Sequence, residues 1–153
     1  MDRIVIDAST AVKWQLADEP DAQRALDMLH DYVVGKLAFV APRIWQYEIA
    51  NVFNKAVSIG RLAEEAGQDA LNSLYALEIE FIDFPAPEVA YTLARQYQRS
   101  VFDSLYLAIA QTDGIDFWTG DRKLYNATKG RFPFVRWIGD YQALRIGRLE
   151  DSK

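Results

Sequence analysis

The chain has 153 residues, half of them hydrophobic and a quarter charged with both signs mixed, which is the profile of one soluble globular domain with a substantial core. It has no cysteine and a single histidine, His30, so disulfides, thiolate nucleophiles and zinc–thiolate sites are excluded, and any metal chemistry must use oxygen or that one imidazole. The net charge of −5 argues against a generic nucleic-acid coating protein, without excluding an enzyme that cuts nucleic acid.

In chain order, Arg3 to Ile6 reads as a short buried strand. Pro20 and Asp21 can open a helix that runs to about Val34 and is closed by Gly35. Ala38 to Val40, before Pro42, reads as a second strand, and a helix from Trp45 places Trp45, Ile49, Val52, Phe53 and Ala56 on one apolar stripe. Leu62 to Leu77 repeats apolar residues at helical spacing, and Ile79 to Phe84 is strand-like. Pro85 and Pro87 start a helix with Val89, Ala90, Leu93, Ala94 and Tyr97 on one face. The segment Phe102 to Ala110 is apolar on nearly every face and predicts a central helix, followed by strands at Phe117 to Thr119 and Phe134 to Ile138. Strands alternating with helices predict an α/β domain with a mostly parallel central sheet, in which ligands bind beyond the carboxyl ends of the strands. No apolar run approaches the roughly 20 residues of a membrane helix, and Met1-Asp2-Arg3-Ile4-Val5-Ile6 lacks the pattern of a signal peptide, so a cytoplasmic location is expected.

Four carboxylates stand where such a fold has little use for them. Asp7 closes the first strand, Glu48 falls inside the apolar stripe of its helix, Asp103 opens the apolar helix, and Asp121 follows the strand ending at Thr119. Each has an ordinary explanation: Asp7 and Asp103 as helix caps, Glu48 at the stripe's edge or paired with an arginine, Asp121 as a turn acid. Together, however, they suggest a shared acidic site. Converging carboxylates repel by about 4 kcal/mol per pair at about 4 Å and an effective dielectric near 20, so a positive group must sit among them, and a hard divalent cation is the simplest candidate. With zinc disfavoured, Mg2+ or Mn2+ is expected. Arg122, Lys123, Lys129, Arg131 and Arg136 form a basic stretch beside Asp121 that reads either as a surface for a polyanion or as ordinary solvated surface.

The strings Ile4-Val5-Ile6-Asp7-Ala8-Ser9, Pro42 with Tyr47-Glu48-Ile49-Ala50-Asn51, Phe102-Asp103-Ser104-Leu105-Tyr106-Leu107-Ala108-Ile109-Ala110, and Trp118-Thr119-Gly120-Asp121-Arg122-Lys123-Leu124 occur in an order and spacing that resemble the PIN-domain nucleases. Among these the chain looks like the VapC-type toxins of prokaryotic toxin–antitoxin pairs. The resemblance extends to about Leu144, with Ser104 as a small departure where the family often has alanine.

It implies a three-layer α/β/α domain over residues 1–145 and a polar tail at 146–153. It also implies an Mg2+- or Mn2+-dependent endoribonuclease whose catalytic and metal-binding residues are Asp7, Glu48, Asp103 and Asp121, supported by Ser9 and Thr119. The implied partners are an RNA substrate, a cognate antitoxin whose tail covers the acidic groove, and a second copy in a homodimer that can belong to a larger complex; no membrane is implied. Asp7 and Asp103 are expected to bind the principal metal, Glu48 to bind or orient through a water, and Asp121 to place a second metal or the attacking water. With His30 alone, a mechanism pairing two histidines is ruled out within the chain, and His30 is expected to be an exposed helix residue. Arg122, Lys123 and Lys129 are the candidates for holding the RNA backbone. Two alternatives stay open: a non-catalytic RNA- or protein-binding module whose acids are caps and ion-pair partners, and a phosphatase forming an aspartyl-phosphate at Asp7, although Asp7-Ala8-Ser9 lacks the second nearby Asp of one common version.

Overall fold

In the computed structural model, which describes residues 1–144, every apolar strand predicted from the sequence enters one sheet. The strands are β1 (Asp2–Ile6), β2 (Leu37–Pro42), β3 (Ile79–Ile82), β4 (Phe117–Thr119) and β5 (Val135–Trp137). They lie in the order β3-β2-β1-β4-β5, and all four pairings are parallel. The sheet is thus fully rather than mostly parallel, which requires a crossover between every pair of strands.

Helices supply those crossovers. α1 (Ala8–Gln15) and α2 (Ala22–Val33) follow β1, and α3 (Ile44–Ser58) and α4 (Glu64–Tyr75) follow β2. α5 (Pro87–Tyr97) and α6 (Val101–Asp113) follow β3, and the short α7 (Arg122–Thr128) follows β4. Helices cover the sheet in the three-layer α/β/α arrangement expected. Val34 caps α2 and Gly35 follows at φ 81°, a left-handed turn that suits glycine, as the sequence predicts. β3 stops at Ile82, short of the predicted Phe84, because its partner β2 ends at Pro42 and the ladder has no further row to pair.

The core is aromatic on one side of β2. Phe39 is stacked between Trp14 of α1, with ring centroids 5.0 Å apart, and Tyr32 of α2 at 4.6 Å. Each such pair contributes about 0.5–1.5 kcal/mol beyond the burial of its area. α6 has Ser104 and Tyr106 to Ala110 buried and packs across β1, β2 and β4, with Tyr106 stacked on Phe117. The stripe of α3 is likewise oriented as its spacing predicts, with Trp45, Ile49, Phe53 and Ala56 buried.

The topology places a crevice at one point. From β1 the chain moves outward through β2 to β3, then returns through α5 and α6 to the opposite side of β1 as β4. The carboxyl ends of β1 and β4 therefore lie at the switch point, where crossovers leave in opposite directions and open a cleft. Asp7 and Gly120-Asp121 follow those two ends directly.

The chain beyond β5 is fastened back to α2. After a 3-10 turn at Ile138–Asp140, the Tyr141 hydroxyl donates to Oδ2 of buried Asp31 at 2.7 Å, and the Leu144 N–H donates to the same oxygen at 2.8 Å. The predicted polar tail at 146–153 lies outside the described residues. Replacing Tyr141 with Phe removes one donor from a buried carboxylate. It is expected to lower stability by about 1–3 kcal/mol, read as a reduced urea midpoint at unchanged m value.

Candidate metal centre

Asp7 occupies two roles at once. It is the N-cap of α1, its Oδ1 accepting from the Thr10 N–H at 3.1 Å, and it is also fixed by two hydroxyls. Ser9 donates to Oδ1 at 2.6 Å, and Thr119, across from the end of β4, donates to Oδ2 at 2.6 Å. Those hydroxyls are oriented in turn, since Ser9 Oγ accepts from the Gly120 N–H at 2.9 Å and Thr119 Oγ1 accepts from the Asp121 N–H at 3.0 Å. The β1 and β4 ends are thus joined by a closed set of hydrogen bonds centred on one carboxylate. Gly120 suits the close approach here: a Cβ would meet Lys13 Cε at 2.5 Å, displacing that side chain, and the Ser9 carbonyl oxygen at 3.1 Å.

Glu48 turns out of the apolar stripe of α3 toward α6, where the Tyr106 hydroxyl donates to its Oε1 at 2.6 Å. The partner is a tyrosine rather than an arginine. Asp103 does not cap α6. Ser100 does, accepting from the Asp103 N–H at 3.0 Å, and Asp103, in the third position of the helix, has its carboxylate directed to Arg99. Asp121 is more than a turn acid, since it caps α7 by accepting from the Leu124 N–H through Oδ1 at 3.1 Å. Its Oδ2 stands 3.6 Å from Arg99 Nη2, which also donates to Asp103 Oδ2 at 3.2 Å. Ser104 donates to the Ser100 carbonyl at 2.9 Å, so the hydroxyl in the usual alanine position is satisfied within its own helix.

Asp7, Glu48 and Asp103 each feel the charge of at least one other acid. Burial pushes the Asp7 carboxyl up to about 6, against the lowering effect of its three donors, and the Asp121 charge adds to the rise. Burial raises Glu48, with the Tyr106 hydrogen bond lowering it and the charges of Asp7 and Asp103 raising it further. Burial likewise raises Asp103, where Arg99 lowers it and Asp121 raises it. Burial, with the neighbouring Glu48 carboxylate, raises the Tyr106 phenol well above its ordinary value, so it stays a donor. Among the described residues no three Asp, Glu or His side chains close to the spacing of a direct ion-binding cluster. Arg99 lies between Asp103 and Asp121, and the acids are near enough for the charges of Asp7, Asp103 and Asp121 to reach their neighbours.

The donor set, carboxylates and hydroxyls with no sulfur or imidazole, suits a hard cation. An open arrangement also suits Mg2+, which usually keeps several waters and takes only one or two carboxylates directly. The residues therefore fit the cation expected from the sequence.

Sequence reasoning missed Arg99, Tyr106 and Ser100. The signals were present: Arg99 precedes Asp103 by four residues and Tyr106 follows it by three, both helical-neighbour spacings, and Ser100 with Asp103 forms a serine-x-x-acid start. In the basic stretch, the Arg122 guanidinium lies 3.7 Å over the Trp137 ring and Lys129 lies 5.3 Å from the Tyr125 ring. Arg136 is paired with Asp116 at 3.5 Å, and His30 is exposed on α2.

Residues 4–130 match the PIN domain, and the chain belongs to that family. Among solved structures, PAE2754 from Pyrobaculum aerophilum superposes with a TM-score of 0.62 at 23% identity, over 86% of this chain and 90% of that one. VapC20 of Mycobacterium tuberculosis, a toxin that cleaves the sarcin–ricin loop, superposes with a TM-score of 0.60 at 19% identity, over 87% of this chain and 98% of that one. At these identities both show a shared fold. No curated protein matches the chain. Among the described residues no helix is long and apolar enough to cross a membrane.

The raised Asp7 pKa has a consequence for stability. The group binds its proton more tightly folded than unfolded, so its contribution is fully present below about pH 4 and is lost as pH rises through about 6. The shift of about two units corresponds to about 3 kcal/mol. In EDTA, wild type is expected to lose stability relative to Asp7→Asn by that order between pH 4 and 7, as followed by urea unfolding.

Proposed function

We propose that the chain is a divalent-metal-dependent endoribonuclease of the VapC type, the toxin of a toxin–antitoxin pair, with Asp7, Glu48, Asp103 and Asp121 as its acidic site. One observation carries this reading: at the switch point of a PIN domain Asp7, Glu48 and Asp103 are each raised in part by the charge of another of the four acids, and Asp7 is buried and held by two dedicated hydroxyls. A fold with no chemistry there would gain more from apolar side chains, since burying a carboxylate is costly unless it is fully compensated. The shared fold with a toxin that cleaves an RNA loop favours RNA as the substrate class.

In this reading Asp7 and Asp103 hold the principal cation, Glu48 binds it or acts through a water, and Asp121 positions a second cation or the attacking water. Bound Mg2+ or Mn2+ supplies acidification of a coordinated water and neutralisation of the charge that develops on the scissile phosphate. Ser9 and Thr119 fix both oxygens of Asp7, so its orientation is set before the cation arrives. Tyr106 fixes one oxygen of Glu48, and the backbone of the Thr119–Asp121 turn couples the position of Asp121 to that of Asp7. Arg122, Lys123 and Lys129 lie just beyond Asp121, where they can hold the RNA backbone, with Arg122 pre-oriented by stacking on Trp137. A homodimer and an antitoxin covering the cleft belong to the same reading.

Purified, antitoxin-free protein incubated with total cellular RNA is expected to give discrete products with Mg2+ or Mn2+ and none with EDTA. Asp7→Asn and Asp103→Asn are each expected to reduce cleavage by about 10²-fold or more while remaining folded. Intact RNA from metal-loaded wild type would remove the catalytic reading. Lys123→Glu and Arg122→Glu are expected to weaken RNA binding and to make its salt dependence shallower by about one unit for each phosphate that is no longer neutralised. Binding equal to wild type at low salt would leave the basic stretch as ordinary surface.

A further inference from the structure

The acidic cleft contains one cation of the chain's own, and nothing in the proposed reaction employs it. Arg99 is the middle residue of the three-residue joint between α5 and α6, between Gln98, which ends α5 in left-handed backbone at φ 54°, and Ser100, which caps α6. The joint aims its side chain back along the first turn of α6 into the cleft. There Nη2 bridges Asp103 Oδ2 at 3.2 Å and Asp121 Oδ2 at 3.6 Å.

Two features distinguish this from an ordinary surface ion pair. The contact joins acids from two separate elements, α6 and the start of α7, and all three side chains are largely shielded, with exposures of 21% for Arg99, 25% for Asp103 and 35% for Asp121. The second is that the buried Arg99 Nε has no hydrogen-bond partner among the described residues. Charge holds the guanidinium in place, without the complete set of acceptors that would fix it permanently. On its outer side Arg99 forms part of the wall of an open groove of about 500 Å³ with Tyr91, Arg95, Gln98 and Val101, so the side chain has room to withdraw.

We propose that Arg99 is a built-in counter-ion that a divalent cation displaces: it bridges Asp103 and Asp121 in the metal-free protein, swings toward the groove as metal binds, and thereby sets the metal concentration at which the site fills. The inference rests on the reading that these carboxylates bind metal. A guanidinium is a fixed positive charge with a planar fork of donors, so it competes for the same carboxylate oxygens as a cation. It holds the apo cleft together by offsetting carboxylate repulsion, and it opposes loading because a second positive charge must enter beside it. An arginine that merely aligned Asp103 for the metal would act in the opposite sense, and its loss would weaken binding.

The test is calorimetric titration of Mn2+ into metal-stripped wild type, Arg99→Gln and Arg99→Lys, with thermal unfolding of each in EDTA and in saturating Mg2+. Arg99→Gln is expected to bind Mn2+ roughly tenfold more tightly at unchanged stoichiometry. It is also expected to melt below wild type in EDTA and to recover most of that difference in Mg2+. Arg99→Lys, which keeps the charge without the fork, should fall between the two and remains informative if Arg99→Gln does not fold. Mn2+ binding by wild type with equal or weaker binding by the variants would overturn the counter-ion role alone. No Mn2+ uptake by any of the three would overturn the metal site itself and the counter-ion role with it.

Discussion

Burial of the Asp7 carboxylate at the end of β1 is the constraint around which the rest of the structure is arranged. A carboxylate in that position costs several kcal/mol unless its lone pairs are occupied, and here they are occupied by groups from both sides of the switch point. The Thr10 N–H is available because α1 begins immediately after the strand. Thr119 is available because β4 pairs in parallel with β1, in a register that brings its last residue opposite Asp7. Ser9 closes the set through Gly120, where a Cβ would press on the Lys13 side chain and sit tightly against the Ser9 carbonyl. Strand order, helix start and turn composition are therefore parts of one solution to one buried charge.

The remaining acids follow a different logic. Glu48, Asp103 and Asp121 are partly exposed; one oxygen of Glu48 accepts from Tyr106, one of Asp103 accepts from Arg99, and Asp121 accepts from the Leu124 N–H with its other oxygen near Arg99. Asp7 has three donors on its two oxygens and the other three acids have fewer, so acceptor capacity remains among them. In a stabilising ion-pair network every acid would face its own base. Arg99 is the nearest approach to such a base, and it is shared between two carboxylates.

Much of this was legible in the sequence. Buried parallel strands read as short apolar runs, so the segments ending at Ile6, before Pro42 and at Thr119 could be placed, and with them the crevice at the ends of β1 and β4. The stripe of α3 identified Glu48 as misplaced because its neighbours at helical spacing are large and apolar. What could not be read depends on partners brought together by the fold. Asp103 was open to being a cap because aspartate favours helix starts, and only the backbone reveals that Ser100 takes that role. α7 spans seven residues, too few for periodicity to register, so Asp121 had the appearance of a turn acid. Arg99 looks like any solvated arginine until Asp121 arrives beside it from over twenty residues further on.

The Ser9–Thr119 junction also carries a consequence for how the protein is made. The two residues are 110 positions apart, and β4 must be inserted between β1 and the future position of β5 to bring them into contact. A ribosome-bound chain that has released β1, β2 and β3 can form helices and pair those strands, yet Asp7 then lacks Thr119, and Asp103 lacks the neighbour that Arg99 bridges. Pairings of such long sequence separation form late, after their loop-closure cost has been met. The arrangement around Asp7 and Asp103 is consequently incomplete until β4 and the start of α7 have emerged, which separates synthesis of the first three strands in time from the onset of whatever chemistry the protein performs.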